Sequence, residues 1–438
     1  MKQQKLTDTA WQNLIEKYNI LTAIENEGYF KISSNEIKEF REPRLMAKFD
    51  SSKYLPDVFK NNKLNILPIS RSKYILGRFK LYENFPDLKN FNTKLPQIDL
   101  PELETIDIEK IISEANAINV LQLSGILEDF LELPESEKLY PTFNSRMGSG
   151  IFDFYVDTFD ESRQFISVEN AQIEIDGGFE SENFVIIVEA KNVIHTDFHV
   201  RQLYYPYRKW TSLVNKPIRL VFSIYSNMIF RLLEYEFEDL NNYSSIRFIK
   251  EKYYSLEDTT ITIDDLKEVF YSTECVYLDK YGKSRDDVPS VQADSFERVI
   301  SLLENMYQNE MSKEDIQELM HFSERQVGYY FNAGRYLEIF CKKKNNEKRI
   351  VYTLTEIGNK IYLSHYKKRQ LLLVRQIFKH KIFRTLFEQV LVNGELPELD
   401  YITDLELEYE MVNSRSTAER RARSIRAWIS WIFNLTKL

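Results

Sequence analysis

Apolar residues recur along this chain with two different periods, and the change of period predicts where helices and strands lie. Helical spacing runs through residues 11–25 and 115–133. Runs rich in β-branched and aromatic residues predict five strands, with the sequences IFDFYVD, AQIEID, FVIIVEAK, IRLVFSIYS and IFRLLEYEFE. A helix is predicted from Arg201 to Val214, between the third and fourth strands. We therefore predict an α/β (or α+β) fold for the centre of the chain.

Polar, proline-containing stretches separate the patterned regions. The stretch 92–104 has the composition of a linker, and residues 283–293 separate the strands from a helical C-terminal portion. A length of 438 residues suits several cores rather than one. The predicted regions are an N-terminal α+β region over residues 1–100, a central domain over 101–285, a third domain over 294–370, and a basic helical region over 371–438.

The composition indicates a globular protein outside the membrane. Hydrophobic residues make up 43% of the chain and charged residues 29%. No apolar run approaches the roughly 20 residues that a membrane-spanning helix needs, and the N-terminus lacks the apolar centre of a signal peptide. We therefore expect a cytoplasmic protein with no membrane partner. The two cysteines, Cys275 and Cys341, lack the spacing of a zinc site or a disulfide scaffold.

The net charge of −9 argues against a nucleic-acid partner only if charge is spread evenly, because binding depends on local patches. Residues 341–384 contain thirteen Lys and Arg against two Glu, and residues 411–438 contain six against one. An acidic stretch, 395–410, lies between these two segments. The basic segments are either a nucleic-acid surface or ordinary solvated helix faces.

Two carboxylates and a lysine fall at the ends of two adjacent predicted strands. Alternate residues of a strand share a face, so Asp176 lies on the side opposite Ile175, and Glu189 and Lys191 lie on the side opposite Ala190. Gly177 and Gly178 after Asp176 permit a sharp turn. One bent hairpin could therefore gather Asp176, Glu189 and Lys191. The alternative is a surface hairpin with a salt bridge.

Asp176, twelve intervening residues and Glu189-Ala190-Lys191 resemble the PD-(D/E)xK motif of type II restriction endonucleases, although Ile175 stands where the motif has proline. The resemblance implies a mixed sheet flanked by helices. It also implies that Asp176, Glu189 and the carbonyl of Ala190 bind Mg²⁺, an ion that prefers oxygen ligands. Lys191 would orient or activate the attacking water and stabilise the developing charge.

The helix predicted after this motif is similar to the helix that follows the catalytic strand in those enzymes. Asp197 is expected to cap it and Pro206 to interrupt it. The resemblance implies that Gln202 is an accessory catalytic residue and that Arg201 binds DNA. The alternative is an amphipathic helix with aromatic packing. Three weaker candidates are Glu128 as a further acidic group and the pair His195 and His199, for which no third soft ligand is evident.

Residues 296–363 resemble a winged helix-turn-helix. Ser312 would cap a short helix, Glu324–Leu337 would be the recognition helix, and the basic segment 342–355 would be the wing. Such a helix reads base edges in the major groove, and its candidate DNA-binding residues are Arg325, Gln326, Asn332 and Arg335. Winged helices also serve as protein-interaction modules, and this alternative stays open.

The last helix is predicted to begin near Ser416 or Thr417 and to be rich in arginine. Trp428, Ile429 and Ile432 are expected to pack inward. Arginines near a helix start suit phosphate contacts. The candidates for such contacts are Arg420, Arg421, Arg423 and, with less support, Arg426.

Together the resemblances imply a Mg²⁺-dependent type II restriction endonuclease that cuts double-stranded DNA at specific sites and leaves 5′-phosphate ends. They imply a cognate DNA methyltransferase as its functional companion, and cutting a palindrome suits a homodimer. One alternative is a modification-dependent, nicking or repair nuclease on the same core. The other is a non-catalytic winged-helix regulator. The N-terminal region could recognise DNA, mediate dimerisation or support the core.

Overall fold

A computed structural model describes residues 2–87, 93–94, 103–106, 111, 113–278, 291–320 and 322–437. Most of the predicted linkers, 92–104 and 283–293, lie outside the described residues. Helices and strands are mixed along the chain, as predicted. In the described ranges no helix has the length and apolar character needed to cross a membrane.

The N-terminal region is a small antiparallel sheet covered by helices. Its sheet has the order β1-β3-β2. The core beneath it includes Trp11 and Phe59, which are fully buried with ring centroids 4.7 Å apart. The elements are α1 (Lys2–Lys17), α2 (Ile20–Glu27), β1 (Tyr29–Ser33), α3 (Ser34–Lys38), α4 (Pro43–Ala47), a 3-10 helix (Ser52–Tyr54), α5 (Asp57–Asn61), β2 (Asn65–Pro68), β3 (Lys73–Gly77) and β4 (Tyr82–Asn84).

The central domain is built on a seven-stranded mixed sheet. Its elements are β5 (Thr93–Lys94), α6 (Glu114–Leu123), α7 (Ile126–Leu131), β6 (Tyr140–Gly148), β7 (Ile151–Asp157), β8 (Arg163–Glu169), β9 (Gln172–Glu180), β10 (Val185–Lys191), β11 (Asp197–His199), α8 (Arg201–Thr211), β12 (Ile218–Ser226), β13 (Ile229–Phe237), a 3-10 helix (Tyr243–Ser245), β14 (Ile246–Ser255) and α9 (Ile263–Ser272). The strand order is β5-β14-β13-β12-β10-β9-β6.

Strand β10 is an interior strand of this sheet, between antiparallel β9 and parallel β12. Both of its faces are covered, which explains its uninterrupted apolar run VIIV. Ile187 packs in the cluster that contains helix α8, whereas Ile186 and Val188 pack in the cluster that contains α6 and α7. The parallel pair β10 and β12 is joined through α8, as a crossover requires.

The two glycines after Asp176 do not form the predicted sharp turn. Strand β9 continues through both of them, and the turn lies at residues 181–184. A Cβ added to Gly178 would lie 2.3 Å from the Phe143 ring and 2.4 Å from the Phe143 carbonyl oxygen on neighbouring β6. The absence of a side chain is therefore needed for close packing within the sheet rather than for a bend.

The C-terminal portion is helical with one hairpin. Its elements are α10 (Phe296–Met306), α11 (Lys313–Met320), α12 (Glu324–Tyr336), β15 (Phe340–Lys344), β16 (Ile350–Leu354), α13 (Glu356–Tyr362), α14 (Tyr366–Phe378), α15 (Lys381–Asn393), α16 (Leu399–Glu408) and α17 (Arg415–Asn434). Ser312 caps α11 as predicted, since its hydroxyl accepts the Asp315 N–H at 3.0 Å. Helix α17 begins earlier than predicted, with Ser414 as its cap instead of Ser416 or Thr417.

The predicted regions 294–370 and 371–438 share one hydrophobic cluster. Trp428 on α17 is fully buried and packs against Phe296 on α10, at a ring-centroid distance of 4.8 Å. Ile429 and Ile432 are also fully buried, which confirms the predicted inward face of α17. Phe270 on α9 belongs to the same cluster. This packing joins the regions 294–370 and 371–438 with helix α9 of the predicted central region in one hydrophobic core.

Candidate functional site

Asp176 lies where strands β9 and β10 part. The last paired residues of the two strands are Gly177 and Val188, and beyond them the Asp176 carboxylate accepts the Ala190 N–H at 2.9 Å. Ile173 and Ile175 are buried while Glu174 is exposed, which confirms the predicted alternation along β9. The carboxylate thus accepts the Ala190 N–H in place of a backbone carbonyl, and this contact fixes it where the two strands separate.

Glu189, Lys191 and Gln202 form a hydrogen-bonded group beside Asp176. The Lys191 ammonium donates to Glu189 Oε1 at 2.7 Å and to the Ala190 carbonyl at 2.9 Å. The Gln202 amide donates to the same Glu189 oxygen at 2.5 Å. Glu189 is buried, with its side chain 8% exposed, and Lys191 is 16% exposed. The structure therefore brings together the four side chains that the sequence predicted as catalytic.

Helix α8 places Gln202 at this point and begins at Arg201 as predicted, although its capping residue differs from the prediction. Asp197 is not its cap, because Asp197 lies in β11 and its buried carboxylate accepts from Ser51 and Ser52. Val200 occupies the N-cap position, and the helix continues through Pro206 to Thr211. Arg201 in the first turn reaches the Gln172 carbonyl at 3.5 Å, so it lies beside the start of β9.

Glu114 is a site residue that sequence reasoning missed. It occupies the first position of α6, after the capping residue Ser113, and its carboxylate lies 3.8 Å from the Lys191 ammonium. Glu128, the acidic residue considered from the sequence, is on α7 instead, and no contact to the site is observed for it. The local signal for Glu114 was the Ser-Glu helix start, but many helices share it.

Burial and like charge raise the pKa values of the Glu189 and Glu114 carboxyls. The pKa of Glu189 rises to about 8, mainly because it is buried; Lys191 lowers it and Asp176 raises it further. Burial likewise raises the pKa of Glu114. Burial lowers the pKa of Lys191, but the negative charges of Glu189, Glu114 and Asp176 outweigh this, so its pKa lies above the usual value.

The donor atoms at this point suit a hard cation. They are the carboxylates of Asp176 and Glu189 and the Ala190 carbonyl, all oxygens. The Gln202 Oε1 atom is a further oxygen, buried and without a hydrogen-bond partner. Within the described residues no three His, Cys, Asp or Glu side chains form a metal-binding group. A metal here would need the backbone carbonyl and water as well.

The two histidines do not form a pair on a helix. His199 is in β11 and is buried, and burial lowers its pKa to about 3. Its Nδ1 accepts the Arg201 N–H at 3.2 Å and lies 3.1 Å from the Tyr243 hydroxyl. His199 is thus a neutral packing residue that fixes the start of α8.

The predicted DNA-binding residues of the candidate recognition helix, α12, differ in their exposure. Arg325 is exposed and lies over the Tyr329 ring, 5.2 Å from its centroid. Gln326 completes a capping box, since its Oε1 accepts the Ser323 N–H at 2.9 Å. Asn332 and Arg335 are half-buried. Arg325 is therefore the residue of this set that is best exposed for base contact.

The structure does not support the prediction that Arg421 of the last helix contacts DNA, because this arginine is buried. Arg420 and Arg423 are exposed, but Arg421 is only 9% exposed. The positive charge of Arg421 lowers the pKa of buried Glu406 on α16. Arg426 is half-buried, and its Nε donates to the Pro397 carbonyl at 2.9 Å. Residues on one face of a helix recur every three or four positions. Arg421 therefore lies on the buried face of α17, together with Ala418, Ala422 and Ile425.

Buried Glu406 predicts a pH dependence of stability. Burial raises its pKa to about 8, although Arg421 lowers it. The folded state keeps a proton that the unfolded state releases near pH 4.5, so stability should fall as the pH rises from about 4.5 to 8. We expect Glu406→Gln to raise the melting temperature at pH 8.5 and to leave it nearly unchanged at pH 5. An equal shift at both pH values in thermal melts would contradict this.

Comparisons with known proteins give domain matches without a function. Three family models match, each described as a domain of unknown function: DUF6996 over residues 8–76, DUF6997 over 77–255 and DUF7226 over 298–437. The four side chains of the site and Glu114 all fall within the second match. No curated protein and no solved structure matches the chain significantly.

Proposed function

We propose that this protein is a Mg²⁺-dependent endonuclease of double-stranded DNA, of the type II restriction kind, with a PD-(D/E)xK active site. The observation that supports this most is the convergence of Asp176, Glu189 and Lys191 at the end of one hairpin. The mixed sheet with helices on both faces agrees with the core that the motif implies. A non-catalytic regulator would not need a buried glutamate, Glu189, paired with Lys191 beside a second carboxylate, an arrangement that costs desolvation energy.

The chain's own residues have distinct roles in this proposal. Asp176, Glu189 and the Ala190 carbonyl would hold the ion, which when bound acidifies water and offsets negative charge on the phosphate. Lys191 would orient or activate the attacking water and stabilise the developing negative charge. Gln202 holds the Glu189 carboxylate in place through its amide N–H.

DNA binding is proposed to involve the winged-helix-like domain. The support for this is the element order, in which helices α10, α11 and α12 precede the β15–β16 hairpin. Met311 also forms an antiparallel β-bridge with Tyr352 of β16. Lys343, Lys344 and Arg349 are exposed on the hairpin, where they can meet phosphates. A homodimer and a companion methyltransferase belong to the same proposal.

Incubation with plasmid DNA tests the proposal. We expect Mg²⁺-dependent conversion of unmethylated plasmid to discrete fragments with 5′-phosphate ends, abolished by EDTA, and a dimer in size-exclusion chromatography. Fragments from methylated plasmid alone would identify a modification-dependent enzyme, and nicked circles alone would identify a nicking enzyme. Binding without any cleavage under these conditions would favour the regulator.

Gln202 should influence the rate without being essential. Because its amide orients a proposed metal ligand, we expect Gln202→Ala to lower the cleavage rate by roughly 10- to 100-fold, in the range typical of residues that position metal ligands. Gln12→Ala is the matched control, since Gln12 is exposed on α1. Equal rates for Gln202→Ala and the control would show that the contact has no role in the reaction.

A further inference from the structure

The hairpin of β7 and β8 has one buried face and one exposed face. Alternate residues of a strand point to opposite sides, and Phe154, Val156 and Ile166 point inward, where they are at most 1% exposed and pack in the cluster that contains α8. On the opposite side, Tyr155 and Phe165 are 46% and 47% exposed. This outer face of the hairpin is formed by the odd-numbered residues of the two strands.

Aromatic residues form the centre of the outer face. Tyr155 lies opposite Phe165 across the hairpin, and their rings meet edge to face with centroids 5.2 Å apart. Ile151 at the start of β7 is 75% exposed, and Phe159 in the connecting turn is 41% exposed. Four large apolar side chains are thus exposed on one hairpin, and clustering of this kind marks an interaction surface.

The charges of the outer face disfavour DNA as its occupant. Asp153, Asp157 and Glu169 are the carboxylates among the odd-numbered residues of the two strands, and Arg163 is the cation among them. Three carboxylates against one arginine make an acidic surface, which repels phosphates. A protein surface with apolar centre and matching charges fits better.

The order of residues across the hairpin makes the outer face complementary to itself. In each of three neighbouring rows, the two paired side chains are of types that also attract each other between chains. These rows are Asp153 with Ser167, Tyr155 with Phe165, and Asp157 with Arg163. When two copies pack face to face about a two-fold axis parallel to the strands, β7 of one copy lies over β8 of the other. Each side chain then faces the residue type of its own cross-strand partner.

The two ends of the outer face fit the same arrangement. Arg163 Nε donates to Asp157 Oδ1 at 3.1 Å within the chain, and the two side chains are 61% and 37% exposed. Two such pairs brought together form a group of two arginines and two aspartates. At the other end, Glu169 comes to lie against the apolar Ile151, where the carboxylate stays at the rim in water.

We propose that the outer face of the β7–β8 hairpin is a contact between two copies of this chain, related by a two-fold axis parallel to the hairpin strands. The proposal rests on the homodimer that belongs to the proposed function and gives that dimer a location. Sheets that pack face to face lie about 10 Å apart, which suits interleaved Tyr155 and Phe165 rings. One hairpin face is small beside the roughly 800 Å² per partner of a stable interface, so we expect a dissociable dimer in the micromolar range.

Sedimentation equilibrium of the full chain in EDTA, without DNA, measures the dimer apart from cleavage. We expect the dimer to form between about 1 and 100 μM. Tyr155→Ser should weaken it about 10-fold or more, since tyrosines at the centre of an interface often carry much of the affinity. Tyr271→Ser is the matched control, because Tyr271 is 76% exposed on α9, and its affinity should equal that of the parent.

Exchange of charges tests the register of the two hairpins. Asp157→Arg and Arg163→Asp each place like charges opposite one another, so each variant alone should weaken the dimer about 10-fold or more. An equimolar mixture of the two variants should form a mixed dimer with nearly the parent affinity, because the cations of one variant then face the carboxylates of the other. Fluorescence-detected sedimentation of one labelled variant reads this recovery.

Three outcomes would overturn the contact. The first is an unchanged dimer in Tyr155→Ser and in both charge variants, which would leave the homodimer and the nuclease proposal standing. The second is a parent protein that stays monomeric up to about 100 μM, in which case the plasmid assay still decides the nuclease function by itself. The third is a loss in both charge variants without recovery in their mixture, which would show that Asp157 and Arg163 act only within one chain.

Discussion

Replacing Asp176 by Asn is expected to lower Mg²⁺-dependent DNA cleavage on the order of 1,000-fold or more, with little change in folding. The amide removes the negative charge that a metal would require. It keeps an oxygen for the Ala190 N–H, so the hairpin contact at 2.9 Å survives. The measurement is the initial rate of plasmid cleavage, with thermal melts as a check on folding.

Glu174→Gln is the matched control for this variant. Glu174 lies two positions before Asp176, on the same face of β9, and loses the same charge. Its carboxylate pairs with Arg146 at 3.0 Å on the exposed surface, away from the hydrogen-bonded group around Glu189. We expect wild-type cleavage from Glu174→Gln. Full activity of Asp176→Asn, or equal losses in both variants, would refute the proposed site.

Trp428→Ala is expected to destabilise the C-terminal body by about 3–5 kcal/mol. Trp428 is fully buried, its indole N–H donates to the Ala293 carbonyl at 3.0 Å, and its ring packs against Phe296 and Phe383. Alanine would leave a cavity and an unpaired carbonyl. The corresponding fall in melting temperature is on the order of 10 °C.

Calorimetry or far-UV circular dichroism would measure this loss. The control is Val392→Ala on α15, where the side chain is 83% exposed and a change of less than about 0.5 kcal/mol is expected. Because Tyr336 at the end of α12 also lies near Trp428, DNA binding should weaken with stability. Equal melting temperatures of the two variants would show that the tail does not support the C-terminal core.

The local pattern of apolar residues was sufficient to predict several of the strands and the helix around the site. The strands of residues 218–226 and 229–237, and the helix that presents Gln202, occur where the sequence predicted them. The wrong details were those where one sequence pattern suits two environments. Gly177 and Gly178 suit a turn or a close approach, Asp197 suits a helix cap or a buried acceptor, and Arg421 suits an exposed or an inward position.

By itself, the sequence determined that Glu189 and Lys191 share one face of a strand, because the two-residue period of a strand is a local property of the backbone. The pairing of the two strands in the structure places Asp176 beside them. The sequence also determined the inward face of the last helix, since apolar burial follows the helical period. Only the tertiary structure decided that Glu114 adjoins Lys191 and that Arg421 lies near Glu406. These contacts join residues from separate elements, and their positions are set by packing between those elements.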